Sequence, residues 1–226
     1  MTATTAALRR VDVTMMYLIH DAARRDLDRI EVGLHRLASQ PAGPARRALI
    51  RSLQRCWTDF ALFLHEHQTS EDELLWPLLR RHCPMTGELL ADMAAEHAAI
   101  APLVRDCRNA MALAYTSYPT FEDARRAVAA VGVLRDMLCE HFDHEEFEAL
   151  PYIAEHLGEH WTEFEDRQRK DAGLLGLTRF LPWVLDDADP IRADRVRDQV
   201  PPSVFALVSG VFLRRRQRAL APLRTV

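Results

Sequence analysis

One segment of this chain is written twice, 74 residues apart. Leu64, Glu66, His67, Glu71, Pro77 and His82 in the first copy fall on Leu138, Glu140, His141, Glu145, Pro151 and His156 in the second. The chemistry-bearing part of each copy is His-x-x-x-Glu. In a helix, residues i and i+4 share a face with Cβ atoms about 5–6 Å apart, so each copy presents an imidazole and a carboxylate to one point. A metal ion is one occupant of such a point; an exposed ion pair is the plain alternative. Repetition in register with a downstream proline favours the metal.

Hydrophobic spacing places these copies on helices. Val13, Met16, Tyr17, Ile19, Leu27, Ile30, Leu34 and Leu37 recur at helical period up to Ser39, where Gln40-Pro41-Ala42-Gly43-Pro44 ends the element. This first helix carries His20, with Arg24, Arg25, Asp28 and Arg29 reading as its solvated face. A second helix opens after Pro44 and runs to about Arg81, with Pro77 expected to kink it or open a new turn. The third spans about Glu88 to Ala114 with His97 inside and Pro102 placed to bend it. Thr120 and Asp123 resemble a cap opening a fourth helix that reaches about His156, with Gly158 as its stop.

Composition agrees with an all-α chain. Only eight glycines occur in 226 residues, among abundant aliphatic residues, Ala, Arg and Glu. That length allows one domain with a substantial core plus an extension. The net charge of -4 and pI near 6.2 give no global attraction for nucleic acid, which is not expected as a partner. Cys56, Cys83, Cys107 and Cys139 stand far apart with no Cys-x-x-Cys, and read as buried thiols of a reducing compartment. The start MTATTAALRRVDV has no secretion-signal pattern. The longest near-apolar run, Val204 to Leu213, is about half of what a bilayer-spanning helix needs. The expectation is a cytoplasmic protein.

The duplication extends beyond the two copies. His20 precedes His67 by 47 residues and His97 precedes His141 by 44. Each half is a helix with one histidine followed by a helix with His-x-x-x-Glu. A pseudo-twofold four-helix bundle would gather four imidazoles and two carboxylates on inward faces. Six N/O donors exceed the needs of one tetrahedral zinc and suit two ions sharing carboxylates, and imidazole with carboxylate suits iron. A ferritin-type di-iron bundle requires Glu-x-x-His twice, and a zincin requires His-Glu-x-x-His; neither pattern occurs.

His20, His67-x-x-x-Glu71 with Leu75-Trp76-Pro77, His97, and His141-x-x-x-Glu145 with Leu150-Pro151 together resemble the hemerythrin-like family, the HHE cation-binding domains, from about Val11 to Leu157. The resemblance implies an up-down four-helix bundle holding two iron ions in a carboxylate-bridged non-haem centre, with an oxo or hydroxo bridge, that reacts with dioxygen or hydrogen peroxide. His20, His67, His97 and His141 are then terminal ligands and Glu71 and Glu145 bridging ones. Oxygen-carrying hemerythrins have a further histidine where this chain has Ala101, and an aspartate five residues after the histidine of helix four, where this chain has Glu146. Fewer protein ligands leave positions open to water, oxygen or peroxide, which points away from simple oxygen carriage.

His144 competes with His141 but breaks the repeat. Tyr17, one turn before His20, and the repeated pair Glu66 and Glu140 are candidates for an outer layer around the ligands, as is His144; a core tyrosine and solvated carboxylates are the alternatives. His65 faces away, and His35, His82, His156 and His160 read as surface or helix-end histidines.

The chain divides into a polar tail (1–10), the bundle (11–160) and a helical extension (161–226) expected to pack on it. In the extension, Asp186-Asp187-Ala188-Asp189-Pro190 opens one helix and Pro201-Pro202 opens another near Ser203, which ends in Arg214-Arg215-Arg216-Gln217-Arg218. That basic end suits packing on the bundle, a membrane surface or a protein partner. The leading functional expectation is a di-iron protein that decomposes peroxide or activates oxygen. The competing ones are an oxygen, iron or redox sensor or an oxygen-binding protein without turnover, and a metal-free helical interaction protein.

Overall fold

The computed structural model describes residues 10–116 and 121–224. Four long helices form the bundle. Helix α1 is Thr14–Ser39. Helix α2 runs over 44–82 as Pro44–Ser70, a π-helical turn Glu71–Leu75, and Trp76–His82. After a 3-10 turn at Pro84–Thr86, α3 is Gly87–Ala114. Helix α4 covers 121–156 as Phe121–His144, a second π-helical turn Glu145–Ala149, and Leu150–His156. Pro102 sits inside α3 without interrupting it. The expected cap at Thr120 lies outside the described residues.

Cross-helix bonds give the topology. His20 and Arg24 meet Glu146 and Asp143, and Glu31 meets Arg135, so α4 descends as α1 rises. His20 meets His67 while Asp26 meets Cys56, so α1 and α2 are antiparallel too. The result is an all-α, up-down bundle.

Two apolar clusters fill the bundle, and between them lies a polar layer. One includes Leu27, Leu53, Phe60, Leu134 and Phe142, all fully buried; the other includes Leu75, Leu79, Met93 and Ile153. All four helices contribute to both. Each fully buried Leu or Phe stabilises the fold by roughly 1.5–3 kcal/mol, and this burial carries the polar layer that separates the clusters.

Both π-turns stand directly ahead of a proline. In α2 the N–H of Trp76 bonds the carbonyl of Glu71, five residues back, and in α4 that of Leu150 bonds Glu145. Pro77 and Pro151 follow at once. A proline ring in an α-helix collides with the carbonyl four residues earlier, and a wider turn relieves that contact. The irregularity expected from Pro77 therefore takes the form of a π-turn. Helix α4 ends at His156 with Leu157 as its cap, and Gly158, at φ 45°, takes the left-handed conformation of the expected glycine stop, from which the next helix opens.

The extension consists of α5 (Gly158–Leu185), α6 (Pro190–Gln199), α7 over 202–219, and α8 (Ala221–Arg224). Gly173 breaks α5 with φ 59° and ψ -177°, a conformation that glycine adopts without a Cβ penalty. Asp189 caps α6 by accepting from the Arg192 N–H. These helices grip one side of α1: Arg192 pairs with Asp21, Arg25 donates to the Trp183 carbonyl, and Arg36 donates to that of Pro222.

At the centre of this grip is a buried ionic network. Arg216 reaches Asp26 at 2.7 Å, Asp59 at 2.6 Å and Asp186 at 3.3 Å; Arg29 reaches Asp186 at 2.8 Å; and Trp183 Nε1 donates to Asp26 at 2.9 Å. The expected solvated face of α1 is thus corrected: Arg29 is buried, Arg24 and Arg25 are half-buried, and only Asp28 of the four is exposed. Arg216, read with its neighbours as part of a basic helix end, is also turned inward, while Arg214, Arg215 and Arg218 remain exposed. No helix among the described residues is long and apolar enough to cross a membrane.

Candidate metal centre

The polar layer gathers His20 from α1, His67 and Glu71 from α2, His97 from α3, and His141 and Glu145 from α4, all buried. The imidazoles meet in pairs. His20 Nε2 lies 3.2 Å from His67 Nε2, and His97 Nε2 lies 3.1 Å from His141 Nε2. Glu71 reaches both pairs, with one oxygen 3.3 Å from His67 and the other 3.5 Å from His97. Glu145 stands 3.1 Å from His20. Ligand atoms of His20, His67, Glu71 and Glu145 all fall within 4.8 Å of one another, the spacing of donors around a cation.

Three of the four rings are held from behind. His20 Nδ1 donates to Glu146 at 2.8 Å, His97 Nδ1 to Asp72 at 2.9 Å, and His141 Nδ1 to Glu96 at 2.7 Å. An ionised carboxylate only accepts, so the ring proton sits on Nδ1 and the Nε2 lone pair faces inward. Lone pairs that converge in this way repel unless a cation lies among them. This is the arrangement by which carboxylates fix the tautomer and raise the basicity of metal-binding histidines.

Glu71 and Glu145 sharpen the point. Both are fully buried, and none of their four carboxylate oxygens has a hydrogen-bond partner. A buried carboxylate without donors is costly unless a positive charge meets it. Burial and the charge of Glu145 push the Glu71 carboxyl well above the usual range. Glu145 also suffers burial, but the imidazoles of His20, His67 and His141 outweigh it and hold the group down to about 2. Burial works against a charge on His20, yet Glu145 and Glu146 overcome it and raise its pKa. Burial keeps His67 and His141 below the ordinary histidine value, which favours the neutral, ligating form. The donor set therefore fits a metal.

Phe142 stacks on His20 with ring centroids 4.2 Å apart and fixes its plane. Ala101, one turn beyond His97, is exposed.

The outer layer differs from expectation. Glu66 and Glu140 are exposed and share no hydrogen bond with the imidazoles. Tyr17 makes no hydrogen bond to them either; it lies beneath the Arg192 guanidinium, 4.9 Å from the ring centroid, and lines a depression with Arg10, Asp12 and Arg195. His144 is one step removed, bonding Glu96 at 2.8 Å. The carboxylates that hold the rings are Asp72, Glu96 and Glu146. Two of them carried a signal, because Asp72 and Glu146 are themselves 74 residues apart and each follows a buried glutamate.

An antiparallel helical bundle with a buried layer of imidazoles and carboxylates defines a cation-binding helical protein. The chain belongs to the hemerythrin HHE cation-binding domain family, whose model matches residues 11–153. The extension lies beyond that match. No match was found among curated proteins or solved structures.

Proposed function

We propose that this protein holds two iron ions in a carboxylate-bridged centre and reacts there with dioxygen or peroxide, with decomposition of hydrogen peroxide as its activity. One observation carries the reading: Glu71 and Glu145, buried and without a donor, lie among four imidazoles whose Nε2 atoms converge. His20 and His67 would hold one ion and His97 and His141 the other, with the two glutamates spanning both. Bound iron would supply Lewis acidity and reversible electron transfer to a small oxygen species.

The chain's own contribution is positional. Glu146, Asp72 and Glu96 keep the Nδ1 protons of His20, His97 and His141 in place, so that each Nε2 stays free to donate its lone pair. The apolar clusters on either side of the layer exclude bulk water and strengthen the electrostatics within it. Six protein donors leave coordination positions on two ions for a small ligand. From His141, a hydrogen-bonded line through Glu96 to the half-buried His144 joins the layer to the surface.

Peroxide turnover by iron-loaded protein tests the reading. Many turnovers per chain are expected, lost in His67→Ala. Stoichiometric oxidation without turnover would contradict catalysis and leave a sensor.

A further inference from the structure

Where the extension meets α2, the surface carries a cationic depression of about 560 Å³, lined by Arg51, Gln54, Arg55, Thr58 and Arg179. No carboxylate lines it. Arg51 and Arg55 stand one turn apart on α2, and Arg179 comes from α5.

Arg179 is already fixed. Its Nε and Nη2 donate to Asp59 Oδ1 at 2.9 and 2.7 Å, and its guanidinium lies 5.9 Å from the Phe63 ring centroid. Asp59 is buried, and its other oxygen lies 2.6 Å from Arg216 and 3.5 Å from Arg55. One carboxylate thus faces three guanidinium groups. Arg216 is shared with Asp26 and Asp186, but those two also have Arg29. Arg51 has no ion pair among the described residues. Glu66, whose pKa burial raises and the charge of Arg179 lowers, is a further acid within electrostatic reach of Arg179.

The bonds from Arg216 to Asp59 and from Ser52 to the Ala219 carbonyl set α7 against α2. Arg51, Arg55 and Arg179 thus concentrate positive charge in one concave place of a chain whose net charge is -4. Guanidinium forks match phosphate oxygens, and a cation ordered before binding loses less entropy when it binds.

We propose that this depression binds an anion carrying two or more phosphate groups, held by Arg51, Arg55 and Arg179. The proposal does not depend on the metal reading. Calorimetric titration of inorganic pyrophosphate into the full-length, metal-loaded protein at low salt is expected to show saturable one-to-one binding. The double variant Arg51→Ala with Arg55→Ala should weaken it at least tenfold with the fold retained by circular dichroism, since Asp59 keeps Arg179 and Arg216 as partners. Flotation with phosphatidylcholine vesicles containing phosphatidylglycerol separates the sources of phosphate. Flotation that pyrophosphate displaces and the double variant loses assigns a lipid headgroup, whereas pyrophosphate binding without flotation assigns a soluble phosphate compound. Absence of both pyrophosphate binding and flotation, or either one retained in the double variant, overturns the proposal.

Discussion

Glu71 and Glu145 hold the same position in two wide turns: each begins a five-residue π-helical segment, and each gives its carbonyl to the residue just before a proline. The pair is buried and without donors, so it opposes folding of the metal-free chain and becomes favourable when a cation arrives.

Replacing one of these groups should accordingly separate stability from metal binding. Glu71→Met is expected to stabilise the metal-free protein by about 1–3 kcal/mol, the cost of a buried polar group left unsatisfied, while lowering iron content. Chemical denaturation of metal-free samples checks this. A loss of stability in the variant would show that Glu71 has a structural partner.

The carboxylates behind the histidines should matter for affinity and little for folding. Asp72→Ala, Glu96→Ala and Glu146→Ala are each expected to weaken metal binding by about 10–100-fold, measured by competition with a chelator. Glu66→Ala and Glu140→Ala serve as exposed controls and should leave it unchanged.

The grip of the extension predicts a dependence on acid. Burial raises the pKa of Asp186, but Arg29 and Arg216 outweigh it and hold the group below its ordinary value. A depressed folded pKa contributes stability that is complete above the unfolded value near ~4 and is lost as pH falls through the folded one. Asp186→Asn leaves buried guanidinium groups short of a partner and should cost about 3–5 kcal/mol at neutral pH. Denaturation at several pH values should show the difference between variant and wild type shrinking below pH ~4. A difference that stays constant through that range would assign the stabilisation to packing instead.

The four helices and the six inward residues were legible because a duplicated pattern disciplines its own ambiguities: it selected His141 over His144, and the structure brings His141 into the layer while His144 bonds Glu96. The rings' supporting carboxylates were less visible. Glu66 and Glu140 obey the same repeat as Asp72 and Glu146, and only the rotation of each helix, widened by a π-turn, decides which pair faces inward. Glu96 has no counterpart at all. It precedes His97, whereas Ile19 precedes His20, so His141 gains a carboxylate that His67 lacks. The extension hid most. An arginine run reads as a solvated surface, and the interior place of Arg216 depends on Asp26, Asp59 and Asp186, which only the folded chain assembles.

The most direct test is iron content, with the visible absorption spectrum, of protein produced in iron-rich medium. About two irons per chain are expected in wild type and in His144→Ala, with marked loss in His141→Ala and in His20→Ala. A wild-type value well below two that neither His141→Ala nor His20→Ala changes would contradict a two-iron centre.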